Sequence, residues 1–203
     1  MCLPCAMRPD LRVLPGDAPV KRLIFLVAAL VIGAVTAAHA DEPLDQLLAQ
    51  AHRGDAAAQA ELGWKYASGE GVPQDHAEAV KWFRKAADQG NVAAQVNLGV
   101  SYAKGEGVSQ DYAEAVKWFR KAADQGNAVA HSTLGAMYAR GQGVTQDYML
   151  AYMWFHLAAS ELSGADREAA VKERDLAASK LTPAQLTRAQ QMAQDWKPTA
   201  EGK

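Results

Sequence analysis

The stretch that decides the fold is NVAAQVNLGVSYAKGEGVSQDYAEAVKWFRKAADQG, running from Asn91 to Gly126. Its pattern returns at Asp55–Gly90 and again at Asn127–Leu162, so the chain carries three copies of a 36-residue unit. A period of that size belongs to helical repeat proteins, in which each unit buries its apolar face against its neighbours. In the middle copy, Asn91 is placed to cap a first helix. Ala94, Leu98 and Tyr102 follow at helical spacing and predict one apolar stripe. Gly99 sits inside that helix, where glycine costs about 1 kcal/mol relative to alanine. It recurs as Gly63 and Gly135. That recurrence predicts the close approach of a neighbouring backbone or a tryptophan ring. Gly105 ends the helix and Gly107 helps to turn the chain. Asp111 caps a second helix and Glu114, three residues on, is placed to complete a capping box, as are Asp75 and Glu78. Asp147 with Leu150 keeps half of that device. Ala115, Trp118, Phe119, Ala122 and Ala123 supply the apolar part of the second helix, small residues leaving room for the large ring.

Residues 77–91 and 113–127 are identical, which predicts stacking by one repeated operation. The third copy departs in its second helix, at Tyr148–Phe155. It is more apolar there, which predicts cover by the C-terminal segment. That segment reads as two helices, one from about Ala165 to Ser179 and one from Pro183 to about Trp196. Thr182 and Gln185 form a capping box and Pro183 suits the first turn of the second. Pro43 to Arg53 reads as a worn half-repeat, because a shift of one period places Leu47 on Phe83 and Ala51 on Ala87. The plan is therefore a degenerate half-repeat at 41–54 and repeats at 55–90, 91–126 and 127–162. A two-helix cap follows at 163–197, and a disordered tail at 198–203. A degenerate end is what a stack needs where one face meets water.

Residues 1–40 read as a doubtful extension followed by a signal peptide. Lys21 and Arg22 precede the uncharged run Leu23–Ala38, and Ala38-His39-Ala40 offers small residues for cleavage after Ala40. An uncleaved anchor is the alternative, although sixteen residues are short for a span of about 20. Residues 1–20 carry Pro4, Pro9, Pro15 and Pro19 and have no signal-peptide character, so translation is expected to begin near Val20. Cys2 and Cys5, the chain's two cysteines, both fall there. The mature chain is expected to have no thiol nucleophile and no cysteine metal site. It has 17 Lys and Arg against 21 Asp and Glu, a net charge of −4. That argues against a nucleic-acid binder, which needs a basic footprint.

The spacing Leu98-Gly99, Tyr102, Gly105-x-Gly107-Val108, Asp111, Ala115, Trp118, Lys121-Ala122-Ala123, Gln125-Gly126 resembles the Sel-one-like repeat, a relative of the tetratricopeptide repeats. The resemblance covers Asp55 to about Ala159. It implies an all-α, right-handed solenoid of antiparallel helix pairs whose first helices line the concave surface. It also implies an adaptor that brings proteins together, in bacteria often at the cell envelope. Some exported relatives bind or slowly hydrolyse β-lactam-type compounds, but those are cysteine-rich. Leu162 replaces the terminal glycine of the motif, and no fourth repeat is expected.

Catalytic motifs are thin. The Gly-x-Gly loops at 69–71, 105–107 and 141–143 lack the strand and the Lys-Ser/Thr of a phosphate cradle, and turn geometry accounts for them. Ser101-x-x-Lys104 spells an S-x-x-K element without its K-T-G companion. His52, His76, His131 and His156 form no i, i+3 or i, i+4 pair, so they read as solvated helix residues and not metal ligands. Lys81, Arg84 and Lys85 with Lys117, Arg120 and Lys121 read either as a solvated outer face or as a strip for anionic polymers.

Function is read where the copies disagree. One face of the first helices carries Ala57, Glu61, Trp64 and Ser68, then Ala93, Asn97, Val100 and Lys104, then Val129, Thr133, Ala136 and Arg140. A face that varies on a repeating scaffold suits recognition. The candidate binding residues are Glu61, Trp64, Ser68, Asn97, Val100, Lys104, Thr133 and Arg140. Trp64 is either a binding anchor or packing for the N-terminal half-repeat. The expectation is a non-catalytic interaction scaffold of the envelope, monomeric, periplasmic or secreted. It binds a protein or peptide partner, with no cofactor, no metal and no nucleic acid. It is not an integral membrane protein once the signal is removed. A β-lactam-binding or hydrolysing enzyme and a peptidoglycan- or polysaccharide-binding module are the alternatives. Intact-mass analysis tests the N-terminal reading: the exported protein should begin at Asp41, and a precursor peptide spanning Leu11 to Lys21 would show that residues 1–20 are translated.

Overall fold

The computed structural model describes residues 44–199, and the expectations for residues 1–40 and 200–203 lie outside them. The described residues form helices joined by short turns, with no strand among them. They are α1 (Leu44–His52), α2 (Ala56–Ser68), α3 (His76–Asp88), α4 (Val92–Lys104), α5 (Tyr112–Asp124), α6 (Ala128–Arg140), α7 (Tyr148–Glu161), α8 (Gly164–Ala178) and α9 (Pro183–Asp195). The six helices of the repeats and α9 each start at a capping side chain, whereas Ser163 before α8 makes no side-chain cap bond. The side chains of Asp55, Asn91 and Asn127 accept from backbone N–H groups at the starts of α2, α4 and α6. Those of Asp75, Asp111 and Asp147 do the same for α3, α5 and α7. Thr182 and Gln185 form the reciprocal capping box of α9. The boxes expected at Glu78 and Glu114 are only half formed, because those carboxylates turn outward to pair with Lys81 and Lys117 at 2.7 Å.

Within each repeat the two helices meet through one ring on one glycine. A Cβ built on Gly63, Gly99 or Gly135 would stand 2.6, 2.9 or 2.8 Å from Phe83, Phe119 or Phe155. The group that approaches is thus phenylalanine, not tryptophan, and at Gly63 the Ala79 backbone carbonyl also comes to 3.2 Å. All three rings are buried, and full burial of such a side chain stabilises by about 1.5–3 kcal/mol. This outweighs the helix cost of glycine. Between repeats a second glycine is used. Gly107 and Gly143 adopt left-handed φ of +75° and +71°, and a Cβ there would run into the backbone of His76 and Tyr112 at the start of the preceding second helix. Gly71 has the same φ of +75°, and nothing among the described residues lies within 4 Å of a Cβ built there.

Helix α1 takes the place of a second helix before the first repeat. Its Leu47 and Ala51 are buried with Ala58, Leu62 and Trp82. At the other end, both α8 and α9 pack on α7, which buries Tyr152, Met153 and Leu157. This explains the apolar drift of the third copy. Helix α8 starts one period after α6 and occupies a first-helix place, yet Val171 stands where Gly63, Gly99 and Gly135 stand. A valine there leaves no seat for a ring, and α9 lies on α7 instead of pairing with α8. The chain therefore stops stacking without a fourth repeat. Order extends past the expected limit at Pro198: the Thr199 N–H donates to the Asp124 carbonyl at 2.7 Å.

Alanine scanning of the glycines separates these roles. Gly71→Ala should cost about 1 kcal/mol, the left-handed penalty alone. Gly107→Ala should cost at least about 2 kcal/mol more through overlap with backbone. Equal losses in urea unfolding would refute the inter-repeat contact.

Candidate functional site

The variable face of the first helices is not uniformly open. Ser68 and Arg140 are exposed, whereas Glu61, Trp64, Asn97 and Lys104 are half-buried. Val100 and Thr133 are each only 8% exposed. The Thr133 hydroxyl donates to the Val129 carbonyl at 2.9 Å. Neither residue is thus the open contact that the sequence predicted. Val129 and Ala136 are buried as well, because α8 touches α6 and its Ala177 joins the same apolar cluster. The face is open or half-open over repeats one and two except at Val100, and it closes at repeat three except at Arg140. Trp64 packs with the cluster of α2 to α5 and not with that of α1, so its role is not to seal the N-terminal half-repeat.

Val100 and Thr133 nevertheless share a feature. With Ala103, Phe119, Met137 and Gln142 they line a crevice between α4 and α6 of about 20 Å³. That is room for about one water-sized group, far below the several hundred Å³ of a small-molecule site. Lys104 ends α4 beside it and lies 3.5 Å from Glu106. Arg140 ends α6, with the Glu173 carboxylate of α8 nearby; partial burial lowers its pKa, opposed by that carboxylate. Ser68 is satisfied locally, donating to the Lys65 carbonyl and accepting from Glu70 N–H.

Ser101 of the S-x-x-K element is buried. Its carbonyl accepts from Gly105 and Glu106 to close α4. The basic residues of the second helices each have a partner within the chain. Lys85 and Lys121 stand over the Trp82 and Trp118 rings at 3.9 and 4.2 Å. Arg84 and Arg120 donate to the hydroxyls of Tyr102 and Tyr138. This supports the solvated outer face. Among the described residues no cluster suited to a metal ion occurs, and no helix is long and apolar enough to cross a membrane.

The expectation of solvated histidines fails at His131, which is 0% exposed. It holds the repeat position of Gln59 and Gln95. Gln59 and Gln95 donate to the carbonyls of Ala51 and Ala87 at 3.0 and 3.3 Å, and His131 Nε2 meets that of Ala123 at 3.1 Å. Gln89 and Gln125 donate across to Gln59 and Gln95 at 2.7 and 2.9 Å. In the third copy this becomes Glu161 against His131 Nδ1 at 3.5 Å. A carbonyl can only accept, so the proton sits on Nε2 and Nδ1 is left as a bare acceptor without a hydrogen bond. The ring stacks on Trp154 and meets Trp196 edge-on. The signal was present in the sequence as paired exchanges, Gln to His and Gln to Glu, one period after matching pairs.

Burial lowers the His131 pKa from 6.5 to about 4, against the Ala123 carbonyl, which raises it. The unfolded chain therefore takes up this proton before the folded one does. Stability is fully present above about pH 6.5 and falls as pH drops towards 4, by about 2 kcal/mol between pH 7.5 and 5. Glu161 acts in the opposite sense, because burial raises its carboxyl pKa, but it is more than a third exposed and its effect is smaller. Urea unfolding at the two pH values should show this loss in the native chain and a much flatter profile in His131→Gln. Equal pH dependence in both proteins would contradict a buried neutral imidazole.

Comparison with known proteins agrees with this architecture. The Sel1 repeat family matches residues 56–91, 92–127 and 128–161. A crystal structure of a protective antigen present in uropathogenic Escherichia coli strains, displaying an SLR fold, is 34% identical with a TM-score of 0.68. That match covers 86% of this chain and 38% of the antigen, so the chain spans well under half of that protein. A Sel1 repeat protein from Oxalobacter formigenes is 38% identical with a TM-score of 0.59, over 62% of this chain and 95% of that one. No curated protein matches. Three successive matches between residues 56 and 161 place this chain in the Sel1 repeat family, as an all-α, right-handed solenoid.

Proposed function

We propose that this chain is a non-catalytic protein-interaction scaffold of the cell envelope. It grips a peptide or partner protein on the face of α2 and α4, with Arg140 of α6 at its edge. The observation that carries this reading is the contrast between two sets of positions. Phe83, Phe119 and Phe155, with their glycines, repeat without change. Glu61 and Ser68 become Asn97 and Lys104 one period on, at helix positions that stay open or half-open to solvent, and Trp64 becomes the buried Val100. Selection for packing alone gives such positions no reason to diverge in size and charge. The burial of Ser101 and the small volume of the crevice favour binding over hydrolysis. The signal-peptide reading of residues 21–40 places the scaffold in the periplasm or outside the cell.

The test is capture from an envelope extract of the source organism on the immobilised full-length chain, set against Lys104→Glu/Arg140→Glu. The native chain should retain a discrete set of proteins that the double variant loses, with both chains folded and their melting temperatures within a few degrees of each other. Arg140 is exposed and Lys104 half-buried beside Glu106, so the charge reversals should cost about 1 kcal/mol or less, short of unfolding the chain. Equal retention by both chains would overturn the reading.

A further inference from the structure

At one junction of the stack a titratable pair has replaced an uncharged one. Gln89 and Gln125 donate amide hydrogens to Gln59 and Gln95, contacts that carry no charge at any pH. One period on, the same places hold Glu161 and His131. The tryptophans of the second helices are covered differently too. Lys85 and Lys121, on the same helices, stand over Trp82 and Trp118. Trp154 and His131 meet Trp196 instead, brought in from the end of the chain.

This cover is a short strap fixed at both ends. Ala189 and Ala193 of α9 are buried in the main apolar cluster and hold the helix before it. The helix stops at Asp195, and Trp196 takes an extended backbone with φ −66° and ψ 136°. Beyond it Pro198 lies beside Gly126, and the Thr199 N–H donates to the Asp124 carbonyl at 2.7 Å. Lys197, Pro198 and Thr199 are exposed. Lifting the strap breaks the Thr199 contact and uncovers His131 while α9 keeps its place. Such an opening at a chain end needs less free energy than unfolding the repeats.

The closed strap leaves His131 0% exposed with Nδ1 unbonded. A proton there sets a charge between two indoles. Glu161 of α7 stands 3.5 Å away and partly in water, longer than a charge-assisted hydrogen bond. Of the other elements around the ring, α5 presents the Ala123 carbonyl. Neither Asp124 of α5 nor Asp195 and Lys197 beside Trp196 add to the shift of His131, which burial dominates. Access to water restores the charged form.

We infer that residues 196–199 are a proton-released clasp, closing the junction of repeats two and three while His131 is neutral and lifting from it when His131 takes up a proton. With the clasp lifted, the imidazolium meets water and the Glu161 carboxylate. His131 titrates at about 4 when covered and has an ordinary value of 6.5. The opening equilibrium therefore rises by up to about thirtyfold between pH 7.5 and 5. Glu161 opposes this weakly, since burial raises its pKa but its side chain is more than a third exposed.

Two measurements on the full-length chain test the clasp. In amide hydrogen exchange at pH 7.5 and 5, corrected for intrinsic rates, Thr199 should lose protection by up to about thirtyfold in the native chain. It should stay level in His131→Gln, which restores the residue of the earlier copies. The helix amides of α3 to α6 should stay better protected than Thr199 at both pH values. The coupling is reciprocal, so in Trp196→Ala the His131 ring, followed by NMR titration, should take up its proton about tenfold more readily, one pH unit higher. The exchange comparison leaves Trp196 in place, so it decides the matter even where Trp196→Ala folds poorly. Thr199 protection that responds to pH alike in both chains, or that is lost only together with the helices, would overturn the clasp. A His131 titration unmoved by Trp196→Ala would overturn it too.

Discussion

One contact governs this molecule: a phenylalanine ring laid on the bare backbone of a glycine inside a helix. Glycine in that setting costs about 1 kcal/mol, and the chain bears that cost at Gly63, Gly99 and Gly135. In return the two helices of each repeat close on one another with the ring fully buried. Because the same pair is used three times, the helices meet in the same way three times. Every other periodic feature depends on that spacing. The glutamine links from first helices to the preceding carbonyls recur at one interval, as do the Arg–Tyr contacts and the seating of Gly107 and Gly143.

The end of the stack is made by breaking the same rules. Val171 replaces the glycine of α8, so no ring can follow it. Leu157 stands where Lys85 and Lys121 cover their tryptophans, and Trp154 instead stacks on His131. His156 takes the place of Arg84 and Arg120; burial first, and then Arg174, lower its pKa. Trp196 and Thr199 carry the chain back onto the junction of repeats two and three. The cap thus uses the same positions as the repeats, with their chemistry changed. Leu176 of α8 is left 56% exposed.

Much of the fold was legible in the sequence because the repeat states its own register. Caps, glycine turns, the worn half-repeat and the cover over α7 all follow from comparing copies. What was missed lay in contacts between positions far apart in the chain. Nothing local says that Phe119 and not Trp118 lies on Gly99. The Glu114–Lys117 pair is the exception, a local i, i+3 contact that competes with the helix cap for the same carboxylate. His131 was misread because spacing tests for metal pairs ignore its partner Glu161, thirty residues on. The variable face of the first helices was legible as a set of differences. Its closure at repeat three was not, since α8 comes to rest there from outside the repeats.

The central claim is that the repeated residues make the scaffold and the divergent ones make the binding face. It is tested most directly by exchanging Asn97 and Lys104 with Glu61 and Ser68, the open and half-open positions, between the two repeats. Stability and retention of the captured partner are then measured on the same protein. The account predicts an unfolding free energy within about 1 kcal/mol of the native chain together with loss of the partner. A swapped protein that unfolds, or that keeps its partner at native affinity, would contradict it.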